Sequence, residues 1–153
     1  MIFLKEFLYT LVCSMVPIIE LRGGIPLGVA QGLPYHMAII AAIIGNILPV
    51  PFIILFIRKI FRFLRKHFPF MNRLIDSLEK KAHLKGQTVR KYQFWGLVLF
   101  VGIPLPGTGA WTGALIASFL DIRLKNCILP IFIGVLIAAT LITLLTYGVF
   151  SFV

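Results

Sequence analysis

The sequence predicts an all-α integral membrane protein built as an inverted repeat, each half a re-entrant helical hairpin followed by one transmembrane helix. Three observations carry this expectation. The 153 residues are 59% hydrophobic and 13% charged, with a mean hydropathy of +1.00, well outside the range of water-soluble domains. The charge is also concentrated: segment 58–91 holds 11 of the 15 Lys and Arg and two of the five acids, Asp76 and Glu79, so it carries nine of the ten net positive charges. One basic block between two apolar halves is how a cytoplasmic loop reads under the positive-inside rule, and the same concentration argues against nucleic acid as a partner. Third, a Gly/Pro-rich stretch from Gly102 to Gly113 interrupts apolar sequence and has a shorter echo from Glu20 to Gly28, the two sharing Gly-Ile-Pro-Leu. Open backbone at membrane depth must be buried in protein or line a wet cavity. Two such stretches mark a site inside the membrane.

The expected organisation is a single membrane domain over 1–153: a first repeat over 1–57 with its hairpin facing outside, a connector over 58–91, and a second repeat over 92–153 with its hairpin facing the cytoplasm. Met1 to Ile19 is apolar, and the acidic Glu6 and the bulky Val12 before Cys13 argue against a cleaved signal. From Phe7 to Ile19 there are 13 residues, about 20 Å of helix, short of the ~30 Å hydrocarbon core. Glu20 to Pro26 is expected as the first loop, with Leu27 to Leu33 returning.

After an interfacial turn at Pro34 and Tyr35, His36 to Ile57 is long enough to cross, with Pro49 and Pro51 expected to kink the helix or free a carbonyl. Arg58 to Lys91 forms a basic amphipathic connector in the interface. Within it, Asn72 caps a helix that shows Leu74, Ile75, Leu78 and Ala82 on one face and stops at Gly86. Tyr92 to Ile103 is again too short to cross; the loop Pro104 to Gly109 and a second arm, Ala110 to Leu120, follow. Asn126 to Phe150 is the second crossing, with Gly134 in the place of Gly45 and with threonines 140, 143 and 146 expected to bond back to their own helix. Cys13 and Cys127 form no CxxC pair and read as buried free thiols.

Glu20-Leu-Arg-Gly-Gly-Ile-Pro together with the distal Gly-Ile-Pro-Leu-Pro-Gly-Thr-Gly-Ala-Trp-Thr-Gly resembles the bacterial and archaeal family of putative small multi-drug export proteins over nearly the whole chain. More distantly it resembles the DedA or VTT-domain superfamily, which pairs two re-entrant hairpins and is implicated in moving lipids such as undecaprenyl phosphate. Where that superfamily offers an arginine near the second loop, this chain has Thr108, Trp111 and Thr112. The resemblance implies a multi-pass protein of the plasma membrane of a bacterium or archaeon.

Glu20 and Arg22 are the only charges expected at membrane depth, and such groups are functional-site candidates by default. Arg22 offers a fixed positive charge for an anionic headgroup. Glu20 offers a proton-exchanging carboxyl, because burial disfavours its charged form. The bland alternative is an ion pair that pins the loop. Opposite them, the N–H groups of Gly107, Thr108 and Gly109 at the start of a helix can face an anion, with the hydroxyls of Thr108 and Thr112 in reach. Gly23, Gly24, Pro26, Pro104, Pro106 and Trp111 complete the expected substrate-binding set. Asn46 is expected to bond a loop carbonyl.

No HExxH, Cys/His cluster, P-loop or catalytic acid pair is present, so neither an enzyme nor a metal or other cofactor is expected. The leading expectation is a secondary transporter or flippase for an anionic carrier of the polyprenyl-phosphate type, with membrane lipids as partners and a homodimer shielding the loops. The alternatives are a proton-coupled exporter of small amphipathic molecules and a non-transporting membrane scaffold.

Overall fold

The computed structural model describes residues 2–68, 72–73, 76–77, 86–105, 107–120 and 122–151. Among the described residues there is no strand, and seven helices build the fold: α1 (Ile2–Met15), α2 (Glu20–Ala30), α3 (Tyr35–Ile47), α4 (Pro49–His67), α5 (Gly86–Gly102), α6 (Ala110–Phe119) and α7 (Leu124–Ser151).

The first departure from expectation is α2. Glu20 to Pro26 is not a loop; the chain turns earlier, over residues 16–19, and Glu20 already opens a helix of 11 residues. The glycines serve close packing there, not chain flexibility. A Cβ on Gly24 would stand 1.9 Å from Ser14 Oγ, and one on Gly28 would stand 2.7 Å from Thr10 Oγ1 and 3.1 Å from the Ala38 side chain. Small residues let helices approach where apolar bulk supplies no driving force of its own. The pairings of 24 with 14 and 28 with 10 set α2 antiparallel to α1. Pro26 lies inside α2, where it removes one N–H and leaves the Arg22 carbonyl without its helical donor.

The central helix is longer than expected. Only Leu48 separates α3 from α4, and its backbone is itself helical (φ −54°, ψ −42°). Pro49 and Pro51 therefore sit in the first turn of α4, where proline is tolerated. Tyr35–His67 forms one candidate membrane span of 33 residues, about 50 Å. The connector thus starts as a continuation of this helix: Arg58 to His67 contains good helix formers and no breaker. The helix stops at Phe68, whose extended backbone (φ −129°, ψ 90°) is what a following proline enforces. Leu74, Ile75, Leu78 and Ala82 lie outside the described residues. Gly86 is not the end of a described helix; it is the first residue of α5, whose backbone is helical from there to Gly102.

In the second half α5 starts six residues before the expected Tyr92, and the other expected boundaries agree with the structure within a residue or two: α5 ends at Gly102, a loop follows, and α6 and α7 begin at Ala110 and Leu124. Gly45 and Gly134 seat the long helices on the short ones. A Cβ on Gly45 would stand 2.2 Å from the Leu11 carbonyl of α1, and one on Gly134 would stand 2.9 Å from the Val98 carbonyl of α5. Thr140 and Thr143 donate to the Leu136 and Ala139 carbonyls of α7 itself, at 2.9 and 2.6 Å.

The two long helices run antiparallel. Tyr35, opening α3, meets Tyr147 near the end of α7 edge-on at 5.5 Å, and Arg58 of α4 donates to the Ile122 carbonyl just before α7 begins. Leu21, Ile25, Ala42, Val50, Ile54, Val101, Ala114, Ile131 and Val135 form the shared core. The outside is apolar too: Leu55, Phe52, Phe56, Trp95, Leu99, Leu144 and Leu145 are all more than half exposed. So much exposed apolar surface fits lipid as the surrounding medium. With two spans of sufficient length, Tyr35–His67 and Leu124–Gly148, the chain is a membrane protein. Cys127 is buried, and Cys13 is only half-buried; both are free thiols.

Candidate functional site

The start of α2 and the loop between α5 and α6 meet through the side chains of Glu20 and Arg22. Glu20 reaches this junction in an unusual backbone state, with φ +48°, a left-handed conformation that costs a non-glycine residue about 1–2 kcal/mol. It is 4% exposed. Its Oε1 accepts the Trp111 N–H at 3.4 Å. Trp111 is the second residue of α6, so this N–H is one of the donors that a helix start leaves without an internal partner. Gly109 has no side chain to cap them. Glu20 supplies the cap from the other half of the chain, and its negative charge also suits the helix dipole.

Gly109 has to be glycine for two reasons. Its φ is +134°, and a Cβ there would stand 2.0 Å from Glu20 Oε2. The carboxylate occupies the space that any other residue would fill.

Arg22, two residues on and half-buried, makes the complementary attachment. Its guanidinium donates to the Leu105 carbonyl, to the Thr108 carbonyl at 2.6 Å and to Thr108 Oγ1 at 2.7 Å. The Thr108 hydroxyl also accepts the Leu105 N–H at 3.2 Å, and its one proton has the Ile103 and Leu105 carbonyls as acceptors, at 2.7 and 2.8 Å. Polar groups of the loop are thus satisfied by one side chain from α2, as an apolar medium requires. Glu20 and Arg22 are each engaged with the opposite hairpin and not with each other. Of the groups expected to receive an anion, the guanidinium is engaged by the Leu105 and Thr108 oxygens, the Thr108 N–H by the Leu105 carbonyl, and one N–H at the start of α6, that of Trp111, by Glu20.

Trp111 connects this junction to a cavity. Its Nε1 donates to the Met15 carbonyl at the end of α1, at 3.0 Å, while its side of α6 lines an open apolar cavity of about 700 Å³ between α4 and α6. Pro49, Phe52, Ile53, Phe56, Ile57, Leu115 and Lys59 contribute to the walls. The volume is in the range of drug-sized binding sites. Phe52, Phe56 and Lys59 were outside the sequence reading of the site, although their spacing of four and three places them on one helix face, which is the signal the sequence does carry.

Of the other expected site residues, Gly23 and Gly24 pack within the first hairpin and Pro26 lies farther along α2. Pro104 is half-buried in the loop, and Gly107 is exposed with φ +84°. Thr112 is half-buried in α6, and Pro106 lies outside the described residues. Asn46 is 1% exposed, and its Oδ1 accepts no hydrogen bond among the described residues. Among the described residues no three His, Cys, Asp or Glu side chains are grouped to hold a metal ion.

The family model described as putative small multi-drug export protein matches residues 20–141, a range that begins on Glu20 and takes in the loop between α5 and α6. The chain belongs to that family. No curated protein and no solved structure matches it.

Proposed function

We propose that this membrane protein is a proton-coupled exporter of small amphipathic molecules, not an enzyme, with Glu20 as the proton-exchanging group and the α4–α6 cavity as the seat for the apolar part of the substrate. The observation that carries this reading is the double role of Trp111. Its backbone N–H is held by the buried Glu20 carboxylate, and its side of α6 forms a wall of the cavity. A change of charge on Glu20 is therefore felt directly at the cavity wall. The family name supports the substrate class. Export of a polyprenyl phosphate has less behind it, since Arg22 and the start of α6 are already engaged by loop carbonyls and by Glu20.

In this reading the two helix pairs, α1 with α2 and α5 with α6, are re-entrant hairpins of an inverted repeat over 1–57 and 92–153. Their tips meet near the bilayer midplane, where transporters of this design place their sites. The basic end of α4 lies on the cytoplasmic side of a bacterial or archaeal plasma membrane, and a second copy of the chain shields the outer faces of the hairpins. Neutralising Glu20 weakens its long hydrogen bond to the Trp111 N–H and its interaction with the helix dipole, and frees the start of α6 to move. Arg22 keeps its charge and its hold on the loop.

The test is efflux of a lipophilic dye from proteoliposomes under an imposed pH gradient. Wild type should show gradient-driven efflux. Glu20→Gln should abolish the dependence on the gradient while leaving dye binding within a few-fold, and Glu20→Asp should retain part of it. Equal gradient-driven efflux by wild type and Glu20→Gln would remove Glu20 from the coupling step. The absence of efflux by wild type for every amphiphile tried would remove the exporter reading.

A further inference from the structure

The cavity has a chemical polarity of its own. Its lining is apolar from Pro49 through Phe52, Phe56 and Leu115 to Trp111, and among the described residues the single charged side chain on it is Lys59. α4 and α6 run side by side in the same direction: Pro49 and Trp111, each at the start of its helix, share one end of the cavity, and Arg58 donates to the Ile122 carbonyl beyond the end of α6. That contact brings the exposed Arg123 of the turn and the exposed Lys125 at the start of α7 to the level of Lys59. Pro49 to Lys59 is about 15 Å of helix. The cavity is thus a trough with an aromatic, uncharged inner end and a cationic outer end. Glu20 lies behind the Trp111 backbone and is not among the residues lining it.

We infer that the exporter's preferred substrates are single-chain amphiphiles with an anionic head, seated with the head at Lys59 and the end of the chain against Trp111. This rests on the exporter reading and names the substrate class for its cavity. Charge complementarity is the argument: an ammonium at the mouth of a low-dielectric trough attracts an anionic head and repels a cationic one. A cationic amphiphile would have to place its head beside Lys59 or bury it among phenylalanines, and either is unfavourable.

The geometry dictates the probe. Trp95 and Trp111 are the two tryptophans; Trp95 is exposed on α5, so Trp95→Phe leaves Trp111 as the sole emitter. The protein is reconstituted in zwitterionic phosphatidylcholine vesicles and titrated with dodecanoate brominated at its chain end, and separately with the equally brominated trimethylammonium analogue. Bromine quenches tryptophan on contact. The expected result is saturable quenching by the carboxylate, with half-saturation about tenfold lower than for the ammonium probe, a difference of about 1.4 kcal/mol. Lys59→Ala should erase the difference, Lys59→Glu should reverse it, and Lys59→Arg and Lys66→Ala should keep it.

Equal quenching by both probes, or a carboxylate preference that survives Lys59→Ala, would overturn the inference. So would quenching that rises without saturation, which means bilayer partition only, or no quenching at all, the result expected if a phospholipid chain or a second copy fills the trough. Efflux of the carboxylate is measured in the same vesicles. Lys59-dependent binding without efflux would sink the exporter reading and leave the binding site standing; efflux of amphiphiles without charge preference would do the reverse.

Discussion

Gly109→Ala separates the junction's backbone from its side-chain chemistry. The substitution meets two obstacles. The backbone stands at φ +134°, where a Cβ is strained by about 1–3 kcal/mol. The new Cβ would also stand 2.0 Å from Glu20 Oε2 and 2.7 Å from its carboxyl carbon, so the carboxylate must leave. Losing it costs the cap on α6, about 0.5–2 kcal/mol. The expected total is about 2–5 kcal/mol. Gly107→Ala is the control, because Gly107 has φ +84° but open space where a Cβ would go, so it bears the backbone strain alone. The assay is reversible unfolding in mixed micelles by titration with a denaturing detergent, for both variants alone and combined with Glu20→Ala. In the Glu20→Ala background Gly109→Ala should fall to about the cost of Gly107→Ala, giving a coupling of about 1–2 kcal/mol between positions 20 and 109. If Gly109→Ala costs no more than Gly107→Ala, or the coupling is zero within error, the cap from Glu20 is not a stabilising contact and the account of the junction fails.

Arg22→Lys should lower stability by about 1–3 kcal/mol in the same titration, since one ammonium cannot reproduce the forked contacts to Leu105 and Thr108; a stability equal to wild type would show that the fork does not matter. Gly45→Ala should destabilise by about 2 kcal/mol or more, as its Cβ would press on the Leu11 carbonyl at 2.2 Å. Gly148→Ala, with nothing within 4 Å, should be neutral or stabilising by up to about 1 kcal/mol, so equal effects at the two positions would contradict the packing described. Asn46→Leu should be neutral or stabilising because it replaces a buried amide whose Oδ1 has no partner; a loss above about 2 kcal/mol in that titration would mean that the amide has a polar partner after all.

Much of the architecture was legible because it rests on length and apolar run. The two spans, the basic segment and the start of α6 at Ala110 follow from where the apolar residues stop and the Gly/Pro residues begin. The first hairpin was misread for a physical reason. Gly23, Gly24 and Pro26 look like a loop by propensity, yet tertiary packing overrides it: Gly24 and Gly28 seat α2 on Ser14 and Thr10, contacts that no local pattern announces. The helix of the first crossing runs on past Ile57, because charge does not end a helix. Arg58 to His67 are helix formers whatever the medium around them, and the stop is set by Pro69. The juxtaposition of Glu20 and Arg22 with Gly107 to Thr112 was expected from their being isolated charges and open backbone at membrane depth, but their partners were not. Sequence suggested that a carboxylate and a guanidinium await a ligand, and only coordinates show each satisfying a different end of the opposite loop.

The placement of those two charges has a consequence for how the junction can open. Glu20 and Arg22 sit in the first turn of one short helix, so the two attachments share one rigid base. The carboxylate takes a donor at the start of α6, and the guanidinium takes acceptors in the loop just before it. Only one of the two can be switched. Arginine keeps its charge at any accessible pH, whereas a carboxylate loses its charge with one proton. In the proposed exporter a proton at Glu20 would release α6 while Arg22 still holds the loop, and the loop would become the pivot about which α6 and the Trp111 wall of the cavity swing. The same reasoning gives the two residues unequal roles under substitution. Removing Glu20 should mimic the protonated state and leave a folded, uncoupled protein, whereas removing Arg22 should strand the loop carbonyls in an apolar medium and lower stability in every state.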